Sequence, residues 1–109
     1  MGANSEWVSM LKEFTNRNAG RLTVLEVAGE EIGAQREERD FPLRGVAYDP
    51  RDRRVEIMLG DMASVERHLT HTIDGPTSVD ILTDESGRDR ALRVATAEGQ
   101  TILKLVDDR

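Results

Sequence analysis

Two histidines three residues apart are the first place to look for chemistry in this chain. On a helix, His68 and His71 would share a face and could chelate one metal ion. Their neighbours Thr70, Thr72 and Ile73 favour a strand instead, where the two rings point to opposite faces. A metal site would also need a third ligand, with Glu66 or Asp74 the nearest in sequence. The reading is therefore structural or surface histidines and no metal, with His68 and His71 as the weak candidates. Acidic pairs stand at Glu30-Glu31, Glu37-Glu38, Asp84-Glu85 and Asp107-Asp108. General acid–base work needs burial that pushes two pKa values apart, and these pairs fall in expected turns, at an edge or at the terminus. The run from Asp84 to Asp89 has the composition of a calcium loop, but lacks its alternating oxygen ligands and closing Glu, so it reads as a turn.

The nucleophile inventory is short. There is no cysteine, which removes disulfides, thiolate catalysis and zinc–thiolate or iron–sulfur sites together. No serine sits in a G-x-S-x-G elbow. The nine glycines are dispersed singly and form no phosphate-binding loop. No catalytic residue and no cofactor is assigned, and the chain reads as a non-enzyme in preference to an enzyme. What remains is binding. The leading expectation is a domain that binds a protein partner or itself, through strand edges able to pair with another chain. The alternative is a small-ligand binder or minor enzyme at the mouth of a curled sheet, with His71 as the polar handle supported by Tyr48 or Arg44.

Composition narrows the partners. The 109 residues suit one domain, spanning 1–109. A net charge of -6 with no basic arm argues against nucleic acid and against anionic membrane surfaces. Trp7, Phe14, Phe41 and Tyr48 do not interleave with a basic face, so no base-stacking platform is expected. The chain has thirteen arginines but only two lysines, Lys12 and Lys104. With so many carboxylates present, the arginines read as surface ion pairs in preference to an anion-binding set. The start of the chain lacks a basic segment followed by an apolar core, so no signal peptide is expected. No run reaches the roughly 18–20 apolar residues that cross a bilayer. The expectation is a cytoplasmic protein.

These residues must be held by a small set of elements. Trp7, Met10, Leu11 and Phe14 recur at helical spacing, which predicts a helix over Ser5–Asn18, capped by Ser5 and stopped near Gly20. Strands are predicted at Arg21–Ala28, at Glu31–Glu38 as a solvated edge, and at Leu43–Asp49 and Arg53–Gly60 as a hairpin around Asp49-Pro50-Arg51-Asp52. Gly45 marks a bulge or a close approach, and Pro42 belongs at a strand entrance or edge. Residues Asp61–Arg67 read as a turn or short helix, followed by a strand at His68–Asp74. From Thr77 to Val106, period-two alternation broken at Asp84–Gly87 and Glu98-Gly99 predicts a three-stranded meander. The fold class is α+β: an N-terminal helix on a strongly curved, mostly antiparallel sheet of six or seven strands, up to an incomplete barrel.

Several of these segments together resemble a known family. They are Trp7 and Phe14 in the helix, Pro42-Leu43-Arg44-Gly45-Val46, His68-Leu69-Thr70-His71-Thr72-Ile73 with Gly75-Pro76, and Glu98-Gly99-Gln100-Thr101-Ile102-Leu103. The chain resembles a family of small bacterial proteins classed as a domain of unknown function. That resemblance implies the same helix-then-sheet order over nearly the whole chain, and implies no activity and no site residues.

Overall fold

A computed structural model describes residues 3–29, 36–60 and 68–106 of the chain. The elements run α1 (Ala3–Asn18), β1 (Leu22–Gly29), β2 (Arg36–Asp49), β3 (Arg54–Gly60), β4 (His68–Asp74), β5 (Ser78–Thr83), β6 (Asp89–Thr96) and β7 (Gly99–Val106). The helix therefore starts two residues before the expected Ser5 cap, and Ser5 lies within its first turn. The expected turn or helix at Asp61–Arg67 and residues 30–35 lie outside the described residues.

The strands form one antiparallel sheet in the order β4-β3-β2-β1-β7-β6-β5. It consists of two meanders, β1 to β4 and β5 to β7, joined where the last strand pairs with the first along Leu22↔Val106 to Gly29↔Gly99. Consecutive strands β4 and β5 lie at opposite margins, yet only Gly75-Pro76-Thr77 joins them. Such a link spans at most about 14 Å, so the sheet must curl until its two margins meet at that corner. Among the described residues β4 and β5 do not pair, and the curled sheet does not close into a barrel.

One expected strand is corrected. Of the separate edge strand expected at Glu31–Glu38, residues 31–35 lie outside the described residues, and Arg36–Glu38 belong with the expected strand at Leu43–Asp49 to a single long β2. Its first half pairs with β1 through Pro42, and its second half pairs with β3 from Leu43 onward. Pro42 sits at this handover, where its missing N–H costs least. The edge character seen in the sequence belongs to that first half, which the β3 ladder does not reach.

The curled inner face carries the core. Leu25, Val55, Ile57, Leu92, Val94 and Leu103 have no more than 1% of their surface exposed. Leu11 and Phe14 enter the same cluster from α1 and are fully buried. Trp7 is half-buried and meets Tyr48 edge-to-face at 5.1 Å, a favoured aromatic geometry.

The helix also solves an edge problem. Beyond Leu43, β2 has lost β1 as its neighbour and presents unpaired backbone groups on that side. α1 lies along this open edge. The Thr15 hydroxyl accepts from Val46 N–H at 2.9 Å and donates to Val46 C=O at 3.0 Å. Gly45 permits the approach, since a Cβ there would sit 3.2 Å from the Thr15 methyl carbon. Thr15→Val keeps the shape and β-branching but leaves both Val46 groups unpaired. We expect a loss of about 1–3 kcal/mol, measured by urea denaturation; a change within error would mean that water replaces the hydroxyl without cost.

Candidate functional site

The sequence-level candidates do not converge. His71 lies on the inward-facing side of β4 with Leu69 and Ile73, while His68 and Thr70 face outward. This is the strand consequence of their spacing. His71 Nε2 is 3.5 Å from the hydroxyl of buried Thr101 on β7. Together they line a concavity of about 300 Å³ formed by β4, the end of β1 and the β6–β7 hairpin. Arg44 and Tyr48 line a different depression. Arg44 Nη1 instead donates to His68 Nδ1 at 3.0 Å. The expected handle of His71, Tyr48 and Arg44 is thus divided between two places. Among the described residues no three His, Asp or Glu side chains gather as a metal would require.

The second depression, about 390 Å³, is the more apolar of the two and runs between α1 and the outer face of β2 and β3. Its helix wall is Val8, Lys12 and Thr15, spaced at four and three residues and so stacked on one face. Its sheet wall is Arg44, Ala47 and Met58. Val8 is 40% exposed there, although an aliphatic side chain gains from burial. Lys12 makes no hydrogen bond or ion pair among the described residues, whereas the other lysine, Lys104, is tied to Glu26 at 2.9 Å. Arg44 is aimed at the groove by a bulge. Leu43 pairs with Leu59 and Gly45 with Met58, so Arg44 is an extra residue in the ladder.

A third constellation holds the helix to the sheet. Asp89, at the start of β6, is only 6% exposed. Its Oδ2 accepts from Arg17 Nε at 2.8 Å and from Asn18 Nδ2 at 2.7 Å. Asn18 Nδ2 also donates to Phe14 C=O, and Asn18 Oδ1 accepts from Arg21 Nη1. The same Arg21 nitrogen donates to Asp89 C=O at 2.9 Å. Burial alone would push the Asp89 carboxyl up and is the largest single influence. The hydrogen bonds from Arg17 and Asn18, with the charges of Arg17 and Arg21, together outweigh it and hold the group below the ordinary carboxylate value.

Sequence reading did not find Asp89, which stands three residues before Leu92 and so faces solvent under strict alternation. A bulge at Arg90 reverses that parity, since Ala91 pairs with Leu82 but Asp89 pairs with Thr83. The available signal was Asn18. It continues the Leu11 and Phe14 stripe at helical spacing, and a polar group on a core stripe needs a buried partner.

Residues 3–107 match the model of a family of unknown function, DUF5335. No curated protein and no solved structure matches the chain. No helix among the described residues is long and apolar enough to cross a membrane.

Proposed function

We propose that this chain, which belongs to the family of unknown function DUF5335, is a protein-binding domain that docks a partner segment in the groove between α1 and β2–β3. The partner segment is apolar and flanked by acidic residues. The observation that carries this reading is the pairing of an exposed aliphatic wall with a cationic rim. Val8, Ala47 and Met58 offer apolar surface, and Lys12 and Arg44 stand beside them. The molecule as a whole carries a net charge of -6, so two cations on an apolar groove are a local reversal of sign. Complementary charge selects partners and steers their approach.

The same charges argue against a second copy as occupant. A symmetric dimer places each patch against itself, which would bring Lys12 and Arg44 close to their own counterparts.

The test uses two synthetic amphipathic helical peptides with leucine at positions three and four apart, one filled with glutamate and one with lysine. Trp7, the single tryptophan, rests on Tyr48 at the groove and reports binding by its fluorescence. The glutamate peptide is expected to bind at least about tenfold more tightly, a difference near 1.4 kcal/mol. Val8→Asp and Lys12→Glu should each remove that preference. Equal binding, or preference for the lysine peptide as net charge alone dictates, would overturn the proposal. So would a solution dimer that Val8→Asp dissolves.

A further inference from the structure

We infer that the outer edge of β5 is a self-association site, where Ser78–Thr83 pairs antiparallel with the same strand of a second copy of this chain. Among the described residues β5 pairs with β6 alone and forms one margin of the sheet. Its second row of backbone donors and acceptors faces outward, and an extended chain is what such a row pairs with.

A margin strand is commonly protected by a lysine, a proline or a bulge. β5 reads Ser-Val-Asp-Ile-Leu-Thr and has neither of the first two. The bulge in its ladder falls on β6, at Arg90, so β5 itself runs on without interruption. The other edges differ. α1 covers the open half of β2 through the Thr15–Val46 bonds, and β4 presents His68, Thr70, Thr72 and Asp74 on its exposed side. On β5, Val79 and Ile81 pack on the core, while Leu82 faces outward and is 45% exposed. The one charge on the strand, Asp80, is bonded to Arg93 at 3.2 Å. The edge therefore shows no unbalanced charge to a copy of itself.

Symmetry and charge together select the register. A two-fold axis normal to the sheet sets outward side chains against outward ones. Most of the strand pairs only if the axis passes through Asp80 or Ile81. An axis at Asp80 sets two carboxylates directly opposite, which is destabilising. An axis at Ile81 sets Ile81 against Ile81 on the core side and Leu82 against Asp80 on the outer side, with no like charges opposed. The net charge of -6 acts against contact between any two copies, but beyond about 8 Å it is screened at physiological salt. No residue of the apolar groove lies on β5, so this edge stands or falls independently of it.

The test is sedimentation equilibrium of the full chain up to about 1 mM in about 0.15 M salt. A monomer–dimer equilibrium with Kd below about 100 µM is expected. Leu82→Asp sets a carboxylate opposite Asp80 of the second copy, twice by symmetry, and should weaken dimerisation at least about tenfold. Leu82→Lys places a cation opposite the same Asp80 and should hold Kd within about threefold of the parent. Leu82 is exposed, so both variants should melt within about 3 °C of the parent when dilute. Thr70→Asp, on the opposite margin, should leave the dimer intact. A monomer throughout the range would overturn the inference. So would a dimer indifferent to Leu82→Asp, one weakened equally by Leu82→Asp and Leu82→Lys, or one that Thr70→Asp dissolves.

Discussion

Replacing Phe14 with alanine should cost about 3–5 kcal/mol of folding free energy. Its ring is fully buried, and it lies in α1, the one element outside the sheet among the described residues, which packs into the curled inner face. Alanine removes the transfer energy of the ring and leaves a void that the surrounding strands cannot collapse into, because their hydrogen-bonded ladders fix their spacing. For a domain of this size the melting temperature should fall by about 15–20 °C. Phe14→Leu refills much of the space and should recover most of the loss. A Phe14→Ala protein that melts within a few degrees of the parent would mean that the helix is not part of the core. Thermal and urea denaturation measure both variants.

Replacing Asp89 with asparagine is expected to cost about 2–3 kcal/mol, or about 10 °C. The substitution sets an amide donor against the donors of Arg17 and Asn18 inside a site that is nearly closed to water. The estimate is lower than for a fully buried ion pair because the Arg17 side chain is 49% exposed and water can rehydrate it. The sign of the pH dependence follows from the direction of the shift. The folded carboxyl titrates below the unfolded one, so between the two values the unfolded chain binds more protons and stability rises with pH. The stabilisation is complete above the ordinary carboxylate pKa of about 3.9 and is lost as pH falls through the folded value. The gap between the parent and Asp89→Asn should therefore be constant near neutrality and narrow below about pH 4. A gap that persists unchanged into acid would show that the loss arises from packing and not from the charged acceptor.

These two positions illustrate what could be read from the sequence. Phe14 was legible because its contribution is periodic. A helix advertises its buried stripe through spacing alone, and the alternation of Val79, Ile81, Leu92 and Val94 likewise placed β5 and β6 on the core. Asp89 was not legible, because bulges reset parity without leaving a compositional mark. The same loss of parity hid the role of Arg44, whose bulge turns it toward the groove. The pairing of β1 with β7 was out of reach for a different reason. Nothing in a strand's own residues names its long-range neighbour, so short connections suggested a simple meander. The order of the sheet instead depends on Leu22–Gly29 accepting two partners, which the apolar residues on both faces of that strand hinted at. His68 and His71 were assigned correctly to opposite faces by spacing. Their separate partners, Arg44 and Thr101, lie on other strands and could only come from coordinates.

The consequence for the proposed function is that the groove is formed by an edge-covering helix and not by a free strand edge. α1 must lie along β2 to satisfy Val46, and in doing so it turns Val8 and Lys12 toward Ala47, Arg44 and Met58. The groove is then a by-product of the packing that closes the fold.

An amide chemical-shift map of the chain with the leucine–glutamate peptide tests this account most directly. Perturbations concentrated at Val8, Lys12, Arg44, Ala47 and Met58, with the margins β4 and β5 unchanged, are the predicted result. Perturbations that track along His68–Asp74 or Ser78–Thr83 instead would show that partners add to the sheet as an extra strand, and would contradict the groove as the docking surface.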